Sequence, residues 1–221
     1  MPIRVISVVD AVADELRTLV LRGQLGAGAG LTEAEVATRY DVSRPTAKAA
    51  IEKLVSESLL RRSNHKTARV VQLDGEDVRD IYRTRAFLEC GAVRLLARRG
   101  SSPSEAAAAN KVILEAGDGS SFAVIDPDMA FHTALVDALD SERTSRMYRG
   151  LVSEVKLCMS QIQGQQLLSP AVIAGDHQSI LDRIEAGDEE GAVRVLNDHL
   201  DRARERLAIA IGRKEAAEQR A

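Results

Sequence analysis

The sequence predicts a mainly α-helical protein, in which a small N-terminal domain with one β-hairpin precedes an all-α antiparallel bundle of six helices. Three observations support this class. Hydrophobic residues form 45% of the 221 residues but aromatic residues only 3%, and an aliphatic, alanine-rich core favours packed helices. Apolar positions recur at spacings of three and four residues, and no strand-like alternation follows residue 74. Capping residues and glycines divide the chain into segments of helical length.

The first 74 residues contain the signals of three short helices and a hairpin. An apolar stripe over residues 9–20 predicts a helix that stops at Gly23. Thr32 and Glu35 form a capping-box pattern for a second helix, which ends near Tyr40. Residues 41–42 make a turn, and Ser43 caps a third helix to about residue 56. Apolar pairs at 59–60 and 70–71 flank a polar segment, which predicts a wing and hence a winged helix-turn-helix over residues 1–74.

Charge is unevenly distributed along the chain. The segment 39–69 contains eight basic and three acidic residues, although the whole chain has a net charge of −3. A basic segment is the electrostatic footprint of nucleic-acid binding, but it is also compatible with a solvated face. The choice between these alternatives therefore depends on motifs.

The motifs of this segment resemble the GntR family of bacterial transcription regulators. The matching segments are LTEAEVA (31–37) and DVSRPTAKAAI (41–51), followed by leucines at 54, 59 and 60. The resemblance implies that the third helix reads double-stranded DNA. The residues assigned to DNA contact are Ser43, Arg44, Thr46 and Lys48, with His65 and Lys66 at the wing tip. The family usually has Arg where Lys48 stands, and Lys cannot make the two-pronged guanine contact of Arg.

Six helices are predicted over residues 75–221. Asp74 caps the first, which ends at Gly100, and a Ser-Pro pair at 102–103 opens the second. Asp126 and Pro127 open the third, to about residue 139. Ser141 caps the fourth, to about residue 163. A Ser-Pro pair at 169–170 opens the fifth, and the last runs from residue 188 to about residue 214.

Three histidines lie on apolar stripes of three different predicted helices. His132, His177 and His199 each have aliphatic neighbours at helical spacing, and Asp128 precedes His132 by one turn. A single such histidine is more often a satisfied core residue. Three with a carboxylate favour a divalent metal, because buried polar groups need partners. Zinc or nickel suits this donor set best.

These residues also resemble the ligand pattern of the FadR C-terminal (FCD) domain, the ligand-sensing half of one GntR subfamily. The matching segments are DMAFH (128–132), HQSI (177–180) and YRTRAFLE (82–89), together with His199. Six helices correspond to the shorter, VanR-like variety. The resemblance implies a small organic acid as effector. Arg85 falls on an apolar stripe and needs an anion, which is either Glu89 one turn later or the effector carboxylate.

Together these features predict a metabolite-responsive DNA-binding regulator, most often a repressor in this family. We expect a homodimer on a near-palindromic operator, because one module reads only a few base pairs. The alternative is a metal-dependent hydrolase that uses the His/Asp site, but the chain has no H-E-x-x-H or G-x-S-x-G motif, so we predict no enzyme. A purely structural bundle would leave residues 31–71 unexplained.

The same sequence predicts a cytoplasmic protein with reduced thiols. Its two cysteines, Cys90 and Cys158, are far apart and form no C-x-x-C motif, so neither a disulfide framework nor a zinc knuckle is indicated. The apolar run at residues 5–9 is too short for a signal peptide, and no stretch approaches the ~20 apolar residues of a membrane span.

Overall fold

The computed structural model describes residues 7–62, 67–116, 122–162 and 168–218. The chain divides into two compact units, Met1–Gln72 and Leu73–Ala221. The elements of the first unit are α1 (Val8–Leu21), β1 (Gly30–Leu31), α2 (Glu33–Tyr40), α3 (Arg44–Ser56), β2 (Leu60–Arg61) and β3 (Ala68–Val70). Those of the second are α4 (Gly75–Arg99), α5 (Ser104–Ala116), α6 (Phe122–Asp137), α7 (Glu142–Gln161), α8 (Pro170–Glu185) and α9 (Glu189–Glu218). The predicted mainly helical fold class is thus confirmed.

The helices of the first unit begin where the sequence predicts. The Glu35 amide donates to Thr32 Oγ1 at 3.2 Å, and the Thr32 amide donates to Glu35 Oε2 at 2.8 Å, which completes the capping box of α2. Asp41 takes a left-handed conformation with φ of 50° between α2 and α3. Ser43 Oγ accepts from the Thr46 amide at 3.2 Å and starts α3. The two helices therefore form the predicted helix-turn-helix.

The wing contains one strand more than the predicted hairpin. Strands β2 and β3 pair antiparallel with Leu60 opposite Val70. Strand β1 pairs with the other edge of β3, where Leu31 lies opposite Ala68, so the strand order is β1-β3-β2. The sequence indicated a loop before residue 31, because a two-residue strand is too short to show the period-two alternation by which strands are recognised.

The second unit is a helical bundle in which α4 packs along α9, α8 packs on α5 and α9, and α6 packs on α5 and α7. Asp74 caps α4 by accepting from the amides of Glu76 and Asp77 at 2.8 and 2.9 Å. Gly100, with φ of 60°, ends the helix. Six helices form the described part of this unit. No helix among the described residues is long and apolar enough to cross a membrane.

Two helix starts in this unit differ from the prediction. Helix α6 begins at Phe122, and Pro127 lies inside it instead of opening it. The turn before the proline is held by tertiary packing, since the buried Val124 lies in a cluster with Ile113. At the start of α5, the Ser102 hydroxyl does not cap the helix but donates to Glu185 at 2.6 Å. Local proline and serine signals are overridden here by neighbouring helices.

Candidate metal centre and nucleic-acid interface

The N-terminal half of α3 exposes polar side chains at the surface of the first unit. Ser43, Arg44 and Lys48 are exposed and Thr46 is half-buried, whereas the intervening Ala47 is buried. Ser43 Oγ and Thr46 Oγ1 lie 2.8 Å apart at the positive end of the helix. Four of the six residues assigned to DNA contact therefore occupy one surface. His65 and Lys66 lie outside the described residues.

Carboxylates engage several other cations of this unit. Arg62 pairs with Glu33 at 3.2 Å and with Glu52 at 2.9 Å, and Lys53 pairs with Asp10. Within the described residues, Arg44 and Lys48 form no such pair. Both line a groove together with Arg62 and Glu33. These two cations are therefore available for an external anion, such as a DNA phosphate.

Helices α6, α8 and α9 bring the four predicted metal ligands together inside the second unit. Asp128 and His132 lie one turn apart on α6, His177 lies on α8 and His199 on α9. One ligand atom from each residue lies within 4.8 Å of the other three. The three histidine residues are at most 2% exposed. Sequence reasoning therefore identified a cluster that forms only in the folded bundle.

Several atoms of this cluster have no hydrogen-bond partner among the described residues: Asp128 Oδ1, His132 Nε2 and both ring nitrogens of His177. Asp128 Oδ1 lies 3.3 Å from His177 Nε2 and 3.8 Å from His132 Nε2, without the alignment of a hydrogen bond. Burying such groups unsatisfied costs about 1–3 kcal/mol each. A cation between the residues would take one ligand atom from each of them, the oxygen of Asp128 and one ring nitrogen of each histidine, so the residues fit a divalent metal.

The outer nitrogens of two histidines are held by carboxylates. Glu89 Oε2 lies 2.6 Å from His132 Nδ1, and Asp176 Oδ2 lies 3.1 Å from His199 Nδ1. This arrangement is the usual one around metal-bound histidines, because the carboxylate fixes the ring and leaves Nε2 for the ion. Burial lowers the pKa of His177 to about 3, so its imidazole is neutral at pH 7, the form that a metal ligand requires.

Arg85 is buried against the same network. Its Nε donates to Glu89 Oε1 at 2.9 Å, and Tyr148 donates to the same oxygen at 2.6 Å. Burial by itself raises the pKa of Glu89, but the charges of His132 and Arg85 and the hydrogen bonds with His132 and Tyr148 reverse the effect and lower it to about 2. Arg85 Nη2 has no hydrogen-bond partner in the described part of the chain. Of the two alternatives, the internal pair with Glu89 therefore forms, and Nη2 of Arg85 is left over.

Two residues of this site were missed by sequence reasoning. Tyr148 reaches Glu89 from α7, and Asp176 reaches His199 from α8. Neither has a local signal, because each acts on a residue of another helix. Asp176 directly precedes His177, and this adjacency was the only available hint.

Comparison with known proteins identifies the family models that match the two units. The FCD domain model matches residues 80–202, and the model of bacterial regulatory proteins of the gntR family matches residues 8–70. A relative from Paenarthrobacter nicotinovorans named as a D-xylose utilization operon transcriptional repressor is 29% identical over 88% of this chain and 86% of its own length. The gluconate operon transcriptional repressor of Bacillus subtilis is 23% identical over 89% of this chain and 83% of its own length.

A solved structure shares the fold over nearly the whole chain. A GntR transcriptional regulator from Rhodococcus sp. RHA1 superposes with a TM-score of 0.77 and 25% identity, covering 90% of this chain and 96% of the other. The family models together span both units, and the hydrolase alternative has no support among these relatives. The chain thus belongs to the gntR family of bacterial regulatory proteins, carries an FCD domain, and is a transcriptional regulator rather than an enzyme.

Proposed function

We propose that the chain is a metal-containing, organic-acid-responsive repressor, with a DNA-binding domain over residues 1–74 and a sensing and dimerisation domain over residues 75–221. The observation that carries this proposal is the cluster of Asp128, His132, His177 and His199, with its unsatisfied buried atoms. A site with this donor set beside a buried arginine is suited to a small carboxylate.

In the proposed site these four side chains hold one divalent transition ion, zinc or nickel. Imidazole nitrogens with one carboxylate oxygen are ligands that both ions accept. When bound, the ion supplies a Lewis-acidic positive charge that attracts a carboxylate. Glu89 and Asp176 fix the outer nitrogens of His132 and His199, so the metal-facing nitrogens are oriented before the ion arrives.

Arg85 is the proposed second anchor of the effector. Its Nε is already committed to Glu89, whereas its buried Nη2 has no partner among the described residues. A buried guanidinium donor gains most from an anionic acceptor, because charge-assisted hydrogen bonds are about twice as strong as neutral ones. Gluconate, which appears in the name of the Bacillus subtilis relative, is a hydroxy acid whose carboxylate would be an acceptor of this kind. We therefore infer a small organic acid that bears at least one carboxylate.

The proposed DNA contacts come from the start of α3. Arg44 and Lys48 reach phosphates or base edges, and Ser43 and Thr46 add hydroxyl groups at the helix N-terminus. His65 and Lys66 are further proposed DNA contacts. A homodimer would present two copies of this surface to a near-palindromic operator. The effector then changes DNA affinity by the difference between its affinities for the DNA-competent and released states.

Metal analysis of the purified chain, followed by binding of its own upstream DNA with and without chelator and a panel of organic acids, tests the proposal. We expect about one ion per chain and a DNA affinity that shifts only when metal and acid are both present. His177→Ala should lose the ion and the acid response. The matched control is Gln178→Ala, at the exposed neighbouring position. A metal content near zero after growth with trace metals would remove the metal site from the proposal.

A further inference from the structure

The three histidines of the cluster are not supported in the same way. The ring of His132 is fixed by Glu89, whose Oε2 lies 2.6 Å from Nδ1. The ring of His199 is fixed by Asp176, whose Oδ2 lies 3.1 Å from Nδ1. His177 has no hydrogen-bond partner at either ring nitrogen within the described part of the chain. The orientation of this third imidazole therefore depends on packing.

The packing partner of His177 is the buried ring of Phe131. The two ring centroids are 3.6 Å apart and the ring planes differ by 3°, so the rings stack face to face. The torsion about Cβ–Cγ, which turns the plane of an imidazole, is only weakly restricted by the side chain itself. A parallel ring in contact opposes this rotation, because any turn drives one edge of the imidazole into it. The stack therefore fixes the torsion that aims the ring nitrogens.

Helix α6 presents this ring from the same side as two of the candidate ligands. Phe131 and His132 lie three and four positions after Asp128, so the three side chains share one face of the helix. Phe131 also meets the ring of His132 at 88°, with the centroids 5.3 Å apart, which is a favoured edge-to-face contact. One turn of α6 thus supplies two ligands and the support of a third, His177, which comes from α8.

We propose that Phe131 is a positioning residue of the metal centre, whose ring holds His177 in the orientation that the ion requires and replaces the carboxylate that each of the other two histidines has. The inference rests on the metal site of the proposed function and assigns the support of its third imidazole. Phe131 has no donor atom of its own, so its whole effect on the ion passes through His177.

The geometry of the stack favours the metal-bound form of His177. Aromatic rings with electron-rich faces prefer an offset or edge-to-face arrangement to direct overlap. Carbon atoms are in contact at about 3.5 Å, so a centroid distance of 3.6 Å leaves little room for an offset. An imidazole that donates a lone pair to a cation becomes electron-poor, and the face of Phe131 attracts positive charge. The overlapped stack is therefore more favourable with the ion than without it, a difference that an aliphatic side chain would not supply.

Phe131→Leu tests the proposal, because leucine keeps the position apolar but removes the ring. The zinc affinity of the full chain is measured by competition with a chromophoric chelator. We expect the variant to bind zinc about threefold to tenfold more weakly, the range that corresponds to the worth of an aromatic pair. Val124→Ala is the matched control for a loosened core and should keep the wild-type affinity, since Val124 is buried on the same helix in the separate cluster with Ile113.

A double-mutant cycle distinguishes positioning from a general effect on the core. In a chain that already carries His177→Ala, Phe131→Leu should cause no further loss of the residual zinc affinity, which is measured against a weaker chelator. An equal loss in both backgrounds would show that Phe131 does not act through His177 and would overturn the proposal.

Proton NMR of the chelator-treated wild type tests the stack without any variant. The ring protons of His177 lie over the face of Phe131 and should resonate upfield of those of His132, and adding zinc should leave this upfield shift in place. Ring protons without the shift would overturn the stack. A shift in the wild type together with unchanged zinc affinity in Phe131→Leu would overturn the positioning role and leave the metal site intact. A wild-type chain that binds no zinc or nickel would overturn both the positioning role and the metal site of the proposed function.

Discussion

The carboxylate of Glu89 joins the imidazole of His132 to the guanidinium of Arg85 inside the bundle. Its Oε2 lies 2.6 Å from His132 Nδ1, and its Oε1 accepts from Arg85 Nε at 2.9 Å. All three side chains are buried. A change at the proposed effector anchor therefore reaches a proposed metal ligand through one side chain. This link gives a physical route by which acid and metal binding affect each other.

Glu89→Gln should weaken metal binding about 10- to 100-fold, the usual effect of losing a partner that orients a metal-bound histidine. The amide keeps the size of the side chain but removes the charge that faces His132 Nδ1. Competition with a chromophoric chelator measures the affinity. Glu105→Gln, at an exposed position of α5, is the control. Equal affinity in the wild type and Glu89→Gln would show that Glu89 supports only Arg85.

Asp176→Asn should also weaken metal binding, but by a smaller factor than Glu89→Gln. The Asp176 carboxylate is partly exposed and is shared between His199 at 3.1 Å and Arg202 at 2.5 Å, so water can replace part of its role. The same chelator competition applies, with Asp182→Asn on the same helix as control. An effect larger than that of Glu89→Gln would reverse the ranking of the two carboxylates.

Arg85→Lys should abolish most of the acid response and leave the metal in place. Lysine keeps a positive charge beside Glu89, but it cannot hold that carboxylate and present a second planar donor to the effector. Operator binding is measured against acid concentration, with metal content determined on the same samples. Arg83→Lys, on the exposed face of α4, should respond like the wild type. Full retention of the response in Arg85→Lys would assign the acid to another anchor.

The metal-free protein should lose stability as the pH falls from 7 to 5. Burial lowers the pKa of His177 from 6.5 to about 3. Between these values the unfolded chain binds a proton that the folded chain does not, so acid favours unfolding. One such histidine accounts for about 2 kcal/mol between pH 7 and pH 5. Urea denaturation of the chelator-treated proteins measures the free energy of unfolding at each pH. Between pH 7 and pH 5 this free energy should fall further in the wild type than in His177→Gln, by the amount given above. The same pH dependence in both proteins would contradict the prediction.

Features determined by local chemistry could be predicted from the sequence. The caps of α2 and α3 depend on side chains within three residues of the amides they accept from, and Thr32 and Ser43 were identified on that basis. The three histidines were identified because each interrupts an apolar stripe. Features that depend on a neighbouring helix could not be predicted. The contact of Tyr148 with Glu89 joins residues 59 positions apart, and no spacing rule connects them.

Arg85 shows the same limit at a single residue. The helical spacing of the sequence was compatible with two anionic partners for Arg85, Glu89 or an effector, and it gave no reason to prefer either. The structure assigns Nε to Glu89 and leaves Nη2 without a partner among the described residues. Different nitrogens of the same guanidinium can therefore have different partners, and helical spacing does not distinguish them. Pro127 is a similar case, because the packing of Val124 decides where α6 begins.

Lys48→Ala should weaken operator binding and reduce its salt dependence. Lys48 is exposed on α3 and forms no ion pair among the described residues, so its charge is free to displace counterions from a phosphate. Each phosphate contact contributes about −0.9 to the slope of log affinity against log salt, so the slope should become shallower by about that amount. Lys53→Ala on the same helix is the control, because that ammonium is held by Asp10. Fluorescence anisotropy with labelled operator at several salt concentrations measures both quantities.

If Lys48→Ala lowers affinity without changing the slope, Lys48 contacts a base edge rather than a phosphate. If neither Lys48→Ala nor Arg44→Ala changes affinity, the start of α3 is not the DNA-binding surface.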